Sequence, residues 1–193
     1  DALEFDDGKI MLGKHQSLRQ MNWENIKARF GKDKYAAKFG AADLVGCVNW
    51  TMLTCMSDIW ESVLKEICPG MNGSRRKMFV DLADPEKRTP QDITRALGLI
   101  TSFQKYFDVI LGLNEKESTE IGDNLGLSTK DHSPEGLLAL CKEIHQRLKV
   151  DSLVVHPTAF AVASGPDSTA MVEGPFTPKP KITTGAGDHF NSG

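Results

Sequence analysis

The feature that most constrains the fold is a regular alternation of short apolar runs with longer segments of helical periodicity, beginning near Asp43. The apolar runs read DLVGCV, KMFVDL, DVILGL and SLVVH, and the segments between them repeat apolar residues every three or four positions. Parallel strands need a crossover connection, usually a helix, so this alternation is typical of a parallel sheet covered by helices. The pattern predicts an α/β fold: a doubly wound, mostly parallel sheet with helices on both faces.

Two of the predicted helices carry clear start signals. Thr89 precedes Pro90, and an acid follows at Asp92, which is the usual chemistry of a helix cap, first position and first turn. Ser133 and Pro134 repeat the same beginning before the next long helical segment. We therefore expect helices to begin at residues 90 and 134.

The segments that flank the alternating region have a different pattern. At residues 1–12 the sequence ALEF-DDG-KIML places an Asp-Gly turn between two short runs, which predicts a β-hairpin. We interpret this hairpin as a lid or as a strand of a homodimer. Residues 159–180 lose helical periodicity and gain proline and glycine, which favours short antiparallel strands and loops.

Charge and cysteine content exclude several classes of protein. The chain of 193 residues has 26 acids against 23 bases, a net charge of −3, and no run of like charges that would attract nucleic acid or an anionic membrane. It has no apolar stretch near the ~18 residues that a spanning helix needs. The four cysteines form no Cys-x-x-Cys pair, so we expect free thiols in a cytoplasmic protein.

Polar residues follow the predicted strands at their carboxyl ends. In open α/β sheets ligands bind in the crevice at those ends, so these side chains predict a polar site on one edge of the sheet. The alternative for each of them is a cap on the following helix. The residues concerned are Asn49, Asp81, Asp84, Asn114, Glu117 and His156.

The segment KITTGAGDHFNSG carries the most specific chemistry. Gly185 and Gly187 permit close approach of the backbone to a ligand, Ala186 adds almost no side chain, and Asp188 falls in the first turn of the following helix. Backbone N–H groups there can stabilise phosphate charge, and the carboxylate can accept a proton from an attacking hydroxyl. The alternative is a tight turn followed by a helix-capping aspartate.

ITTGAGDHFNSG and ILGLNEKE resemble two motifs of the ribokinase-like (PfkB) carbohydrate kinases. The resemblance implies that Asp188 is the catalytic base and that Gly185, Ala186 and Gly187 form the anion hole. It also implies that Asn114 and Glu117 organise magnesium and phosphate. On this basis we expect a Mg²⁺-dependent phosphotransferase that uses ATP and acts on a primary hydroxyl of a sugar or nucleoside-like molecule.

The sequence departs from the family in one nucleotide-contacting turn. Where the family has Thr-x-Gly-x-x-Gly, this chain has VVHPTAFAVA, with His156, Thr158 and Ala161 in those places. Ile182 also replaces a small polar or acidic residue before the glycine motif. A second hypothesis therefore stays open: a catalytically impaired, kinase-like binding or scaffold protein that keeps an anion site.

The family also carries elements before the hairpin and after the last helix. We accordingly interpret 1–193 as a single, incomplete ribokinase-like domain that lacks N- and C-terminal parts.

Two further clusters have simpler interpretations. Cys141 and His145 share a helix face, but two ligands favour a half-buried amphipathic helix over a metal site, and Trp23, Trp50 and Trp60 are expected to be core residues.

Overall fold

The structure, a computed structural model, describes residues 2–13 and 16–193. Within these ranges the chain forms eight strands, seven α-helices and three short 3₁₀ turns. The 3₁₀ turns cover Gln16–Gln20, Cys68–Gly70 and Pro85–Lys87. The other elements are β1 Ala2–Phe5, β2 Gly8–Met11, α1 Trp23–Phe30, α2 Lys32–Ala41, β3 Leu44–Cys47, α3 Met56–Glu66, β4 Arg76–Asp81, α4 Pro90–Phe103, β5 Phe107–Asn114, α5 Glu115–Asn124, α6 Pro134–Leu148, β6 Ser152–His156, β7 Phe160–Ser164, β8 Thr169–Glu173 and α7 Ala186–Ser192.

The main sheet has six strands in the order β3-β4-β5-β6-β7-β8. The first four are parallel, and β7 and β8 are added antiparallel at one edge. Because the parallel strands follow one another in chain order, right-handed crossovers place α3 to α6 on one face. The short helix α7 lies against the opposite face. The prediction of a mostly parallel α/β sheet flanked by helices is confirmed, as is the antiparallel pair within residues 159–180.

The core lies between the parallel strands and the crossover helices. Alternate residues of β4, β5 and β6 point into it, as the period of two in a strand requires. An aromatic row continues the core toward α2, with the ring of Phe107 in edge contact with Phe39 and Phe103. The expectation for the tryptophans is also met, since Trp23, Trp50 and Trp60 are all buried. The main strand and helix residues of the core are Met78, Val80, Val109, Leu111, Leu153, Val155, Val63, Leu97, Ile100, Leu137 and Ile144.

The predicted helix signals act as local chemistry suggests. The Thr89 hydroxyl accepts from the Asp92 N–H at 3.1 Å, and the Ser133 hydroxyl accepts from the Gly136 N–H at 3.1 Å. Gly31 separates α1 from α2 with a φ of 89°, a conformation that favours glycine. Both long helices therefore begin at the proline that the sequence indicates.

The predicted hairpin is also present. β1 pairs antiparallel with β2, from Ala2 opposite Met11 to Phe5 opposite Gly8. The predicted hairpin segment, residues 1–12, also includes Asp1, which lies outside the described residues. Within residues 2–13 and 16–193, every helix is too short or too polar to pass through a membrane.

Candidate active site

Three neighbouring parallel strands end in polar side chains at one edge of the sheet. β4 ends at Asp81, β5 at Asn114 and β6 at His156. Strand register places Asp81 opposite Gly112, and Asn114 opposite His156. The sequence-based prediction that these residues converge on one rim is therefore correct for the central strands.

The Asn-x-x-Glu sequence at the start of α5 forms a reciprocal capping box. The Asn114 side chain accepts from the Glu117 N–H at 2.9 Å, and Glu117 Oε2 accepts from the Asn114 N–H at 2.8 Å. The other carboxylate oxygen, Oε1, accepts from the Asp84 N–H at 2.9 Å. Glu117 thus joins the β5–α5 junction to the loop after β4, and its side chain is only 4% exposed.

That loop after β4 has an unusual backbone. Ala83 and Asp84 both adopt positive φ, 57° and 64°, which non-glycine residues seldom do. Asp81 Oδ1 accepts from the Ala83 N–H at 2.9 Å, while Glu117 binds the next N–H. These two carboxylates hold the strained turn in place at the rim.

The glycine motif forms a turn that leads directly into α7. Gly185 adopts a left-handed conformation, with φ 86°, and its carbonyl accepts from the His189 N–H at 2.9 Å. The Ala186 N–H donates to the Thr183 carbonyl at 3.3 Å. Asp188 lies in the first turn of α7 and is exposed. The chain therefore adopts the turn-to-helix geometry predicted from the motif.

Helix α7 is attached to the sheet through Asp81 and His156, which the sequence predicted at the rim, and through Asn191 and Phe190, which it did not. Asn191 Nδ2 donates to Asp81 Oδ2 at 2.7 Å. The Phe190 ring stacks on the His156 ring, with centroids 4.5 Å apart. Gly187 faces the same imidazole, since a Cβ there would stand 3.6 Å from His156 Cε1. His156 thus supports α7, at the position where the family pattern has a nucleotide-contacting threonine.

The hairpin also reaches the glycine motif. Glu4 on β1 accepts from the Thr184 N–H at 2.9 Å and from the Thr184 hydroxyl. Its second oxygen accepts from the Thr183 hydroxyl at 3.3 Å. Lys9 on β2 donates to that same hydroxyl at 3.5 Å. The sequence carried no signal for these contacts, because the partners lie about 180 positions apart.

Burial changes the acid–base properties of the rim. It raises the pKa of Glu117 and of Asp81, since the charged form loses solvation, although hydrogen bonds to both carboxylates oppose the change. The negative charge of Asp188 adds to the rise in the pKa of Asp81. Burial lowers the pKa of His156, and the charge of Asp81 partly offsets this. Burial therefore disfavours the charged form of all three side chains.

The rim can be tested for its fit to Mg²⁺. Among residues 2–13 and 16–193 no group of three or more His, Cys, Asp or Glu side chains forms a ready-made metal cage. Mg²⁺ seldom uses such a cage, because it keeps several waters and takes one or two carboxylates together with phosphate oxygens. Both oxygens of Glu117 bind backbone N–H groups and each retains a second lone pair. Asn114 and Glu117 therefore fit a magnesium site reached through water.

The pair Cys141 and His145 has a structural role. His145 Nε2 donates to the Val150 carbonyl at 2.9 Å, and the Cys141 thiol donates to the Leu153 carbonyl at 3.6 Å. Both side chains are buried between α6 and the sheet. The interpretation as part of an amphipathic helix agrees with these contacts.

Comparison with known proteins identifies the family of this chain and supports its fold. A family model described as prokaryotic ketohexokinase matches residues 1–193. A curated ketohexokinase of Haloferax volcanii is 28% identical over 193 residues, which cover 100% of this chain and 50% of the relative, so the chain spans half the length of that protein. The crystal structure of a phosphomethylpyrimidine kinase from Clostridium difficile superposes with a TM-score of 0.57 at 14% identity, over 89% of this chain and 67% of that one. This second likeness concerns the fold.

Proposed function

Because the chain belongs to the prokaryotic ketohexokinase family, we propose that the protein transfers the terminal phosphate of ATP to a primary hydroxyl of a ketohexose. The resemblance to ribokinase-like carbohydrate kinases, first indicated by two short motifs, is confirmed by the family match and by the fold. The ketohexose is taken from the name of the Haloferax relative. ATP as the donor, Mg²⁺ as the metal ion and the catalytic roles of the rim residues belong to the same proposal.

One observation carries the proposal beyond family membership. The first turn of α7, with Asp188, lies at the end of β6, where Gly187 faces His156, the register partner of Asn114. The last turn of α7 reaches Asp81 at the end of β4. A carboxylate, a row of small residues with accessible backbone and a magnesium-compatible pair thus lie at one rim. This arrangement suits phosphoryl transfer, which depends mainly on positioning and charge stabilisation.

The reaction then divides among the residues of the rim. Asp188 accepts the proton of the sugar hydroxyl while the oxygen of that hydroxyl bonds to the terminal phosphorus of ATP. The bond from that phosphorus to the bridging oxygen breaks, and ADP leaves with the electron pair. The N–H groups of Gly185, Ala186 and Gly187 stabilise the negative charge on the transferred phosphoryl group. Asn114 and Glu117 would hold Mg²⁺ through water, and the bound ion would supply neutralisation of phosphate charge.

The proposal is tested with the full-length protein, ATP, Mg²⁺ and a panel of sugars that includes fructose. We expect ADP release that depends on the ketohexose, with ³¹P NMR detecting a phosphate monoester. Asp188→Asn should lower kcat by about 10²–10⁴-fold, the usual contribution of a general base. Asp167→Asn, at an exposed site in the β7–β8 turn, is the matched control and should leave kcat unchanged.

Two results would count against the proposal. Unchanged turnover in Asp188→Asn would remove this residue from the role of base. Nucleotide binding without a phosphorylated product from any sugar would instead support the hypothesis of a kinase-like binding protein. That hypothesis drew on the altered turn at His156, a residue that stacks on Phe190 in the structure.

A further inference from the structure

Helix α7 has little apolar burial to hold it on the sheet. None of its residues is buried, and Phe190, its largest apolar side chain, remains 44% exposed. A helix this short is marginal without tertiary contacts. Its position must therefore depend strongly on the few side-chain contacts that it makes with the rim.

The most directional of these contacts joins Asn191 to Asp81. Asn191 Nδ2 donates to Asp81 Oδ2 at 2.7 Å across 110 positions of sequence. The distance is at the short end for N–H···O bonds and typical of a bond to an ionised acceptor. Asp81 itself is held, since its other oxygen accepts from the Ala83 N–H at 2.9 Å. The acceptor therefore presents a defined oxygen to α7.

The neighbouring strand leaves room for this bond. Gly112 lies opposite Asp81 in the strand register. A Cβ at Gly112 would stand 3.4 Å from Asn191 Oδ1 and 2.9 Å from Phe79 Cζ. The second distance is too short for a normal contact, so a side chain here would displace the Phe79 ring. The absence of a side chain in the middle of β5 thus lets Asn191 approach the sheet.

We propose that Asp81 and Asn191 form a clamp that sets the position of α7 and, through it, the catalytic geometry. Asn191 and Asp188 are three positions apart in α7, so their side chains neighbour one another on the helix surface. A shift of Asn191 along the sheet moves Asp188 and the amides of the glycine motif with it. Neither clamp residue touches the reacting atoms, so both are positioning residues. The proposal rests on the proposed kinase function.

The clamp is tested by exchanging its two partners in the full-length protein. Asn191→Asp sets two carboxylates against each other and should lower kcat about 10²-fold, the usual effect of a misplaced catalytic group. In Asp81→Asn/Asn191→Asp the introduced amide still accepts from the Ala83 N–H through its oxygen and donates through its nitrogen to the introduced carboxylate. The double variant should recover kcat to within about threefold of wild type. The KM for the sugar should change little in either variant.

Ser192→Ala is the matched control, because Ser192 is on the same helix and its hydroxyl donates to the local His189 carbonyl. This variant should keep wild-type kcat. If Asn191→Asp lost activity only because the protein became less stable, a second substitution would be at least as harmful as the first. Recovery of kcat by the exchanged pair would exclude that explanation. A double variant no more active than Asn191→Asp, or wild-type activity in Asn191→Asp, would overturn the clamp.

Hydrogen exchange separates this proposal from the proposed function. Amides of α7 should exchange at least about tenfold faster in Asn191→Asp than in wild type, and the exchanged pair should restore their protection. This readout needs no substrate. A wild-type protein without kinase activity would refute the function, while the exchange data would still decide the clamp. Equal exchange in all three proteins would overturn the clamp.

Discussion

Replacement of Glu117 by glutamine tests whether this buried carboxylate ties two segments of the rim together. In the structure its two oxygens accept from the N–H groups of Asp84 and Asn114 at 2.9 and 2.8 Å. A glutamine can accept with only one atom, and its NH₂ group would then face a backbone N–H donor. One charge-assisted bond is lost and one N–H group at the rim loses its partner.

The size of the effect follows from these two losses. A hydrogen bond to a charged group contributes about 1.5–3 kcal/mol, and an unsatisfied buried donor costs about 1–3 kcal/mol. Removal of the buried charge partly offsets these two losses, since burial disfavours the charged form of Glu117 and so raises its pKa. We therefore expect Glu117→Gln to lower the free energy of unfolding by about 2 kcal/mol, somewhat less than the two losses together because removal of the charge offsets part of them.

Urea unfolding of the full-length protein, followed by far-UV circular dichroism, measures this difference. Glu115→Gln is the matched control, because Glu115 is also in the first turn of α5 but is partly exposed and pairs only with His132. It should change the free energy of unfolding by less than about 0.5 kcal/mol, as surface substitutions usually do. Equal stability of the two variants would refute the structural role of Glu117.

Two further predictions concern the rim histidine and a helix cap. The pKa of His156 is lowered in the folded protein, so the stability it contributes is present above about pH 6.5 and is lost as pH falls through 6.5 towards its folded pKa. Relative to His156→Phe, which keeps a ring against Phe190, wild type should lose unfolding free energy between pH 7.5 and 5.5; a constant difference would contradict this. Thr89→Ala should cost about 1 kcal/mol in urea unfolding by removing the cap of α4, whereas Thr89→Ser should restore it, and a serine variant as unstable as alanine would exclude the capping role.

Most of the fold could be predicted because its signals are local. The apolar runs became β3, β4, β5 and β6, since short apolar segments bounded by turns favour strands. Thr89 and Ser133 cap the helices that they precede, because a cap binds N–H groups only two or three residues away. Local signals fix helix ends less closely, since α2 continues through Gly40 and ends at Ala41.

The candidate site was predictable only in part. Asp188, Asn114 and Glu117 lie in compact motifs, so the sequence could propose them as the base and the magnesium pair, and their roles remain predictions. It could not show that Glu117 also binds the loop at Asp84, which lies 33 positions away. Nor could it show that His156, which it placed at the rim, stacks on Phe190.

By itself the sequence determined the alternation of strands and helices, their capped beginnings and the Gly-Ala-Gly-Asp turn, because each depends on neighbours within one or two helical turns. Tertiary structure decided the contacts that place that turn. Asn191 meets Asp81 across 110 positions, and Glu4 meets Thr184 across 180. Such pairs form only when the assembled fold has brought the two residues together. The bond between Asn191 and Asp81 also needs the strand register of β4 and β5 and the space left by the missing side chain of Gly112. A directional bond between distant side chains has no local pattern, so its existence depends on the assembled sheet.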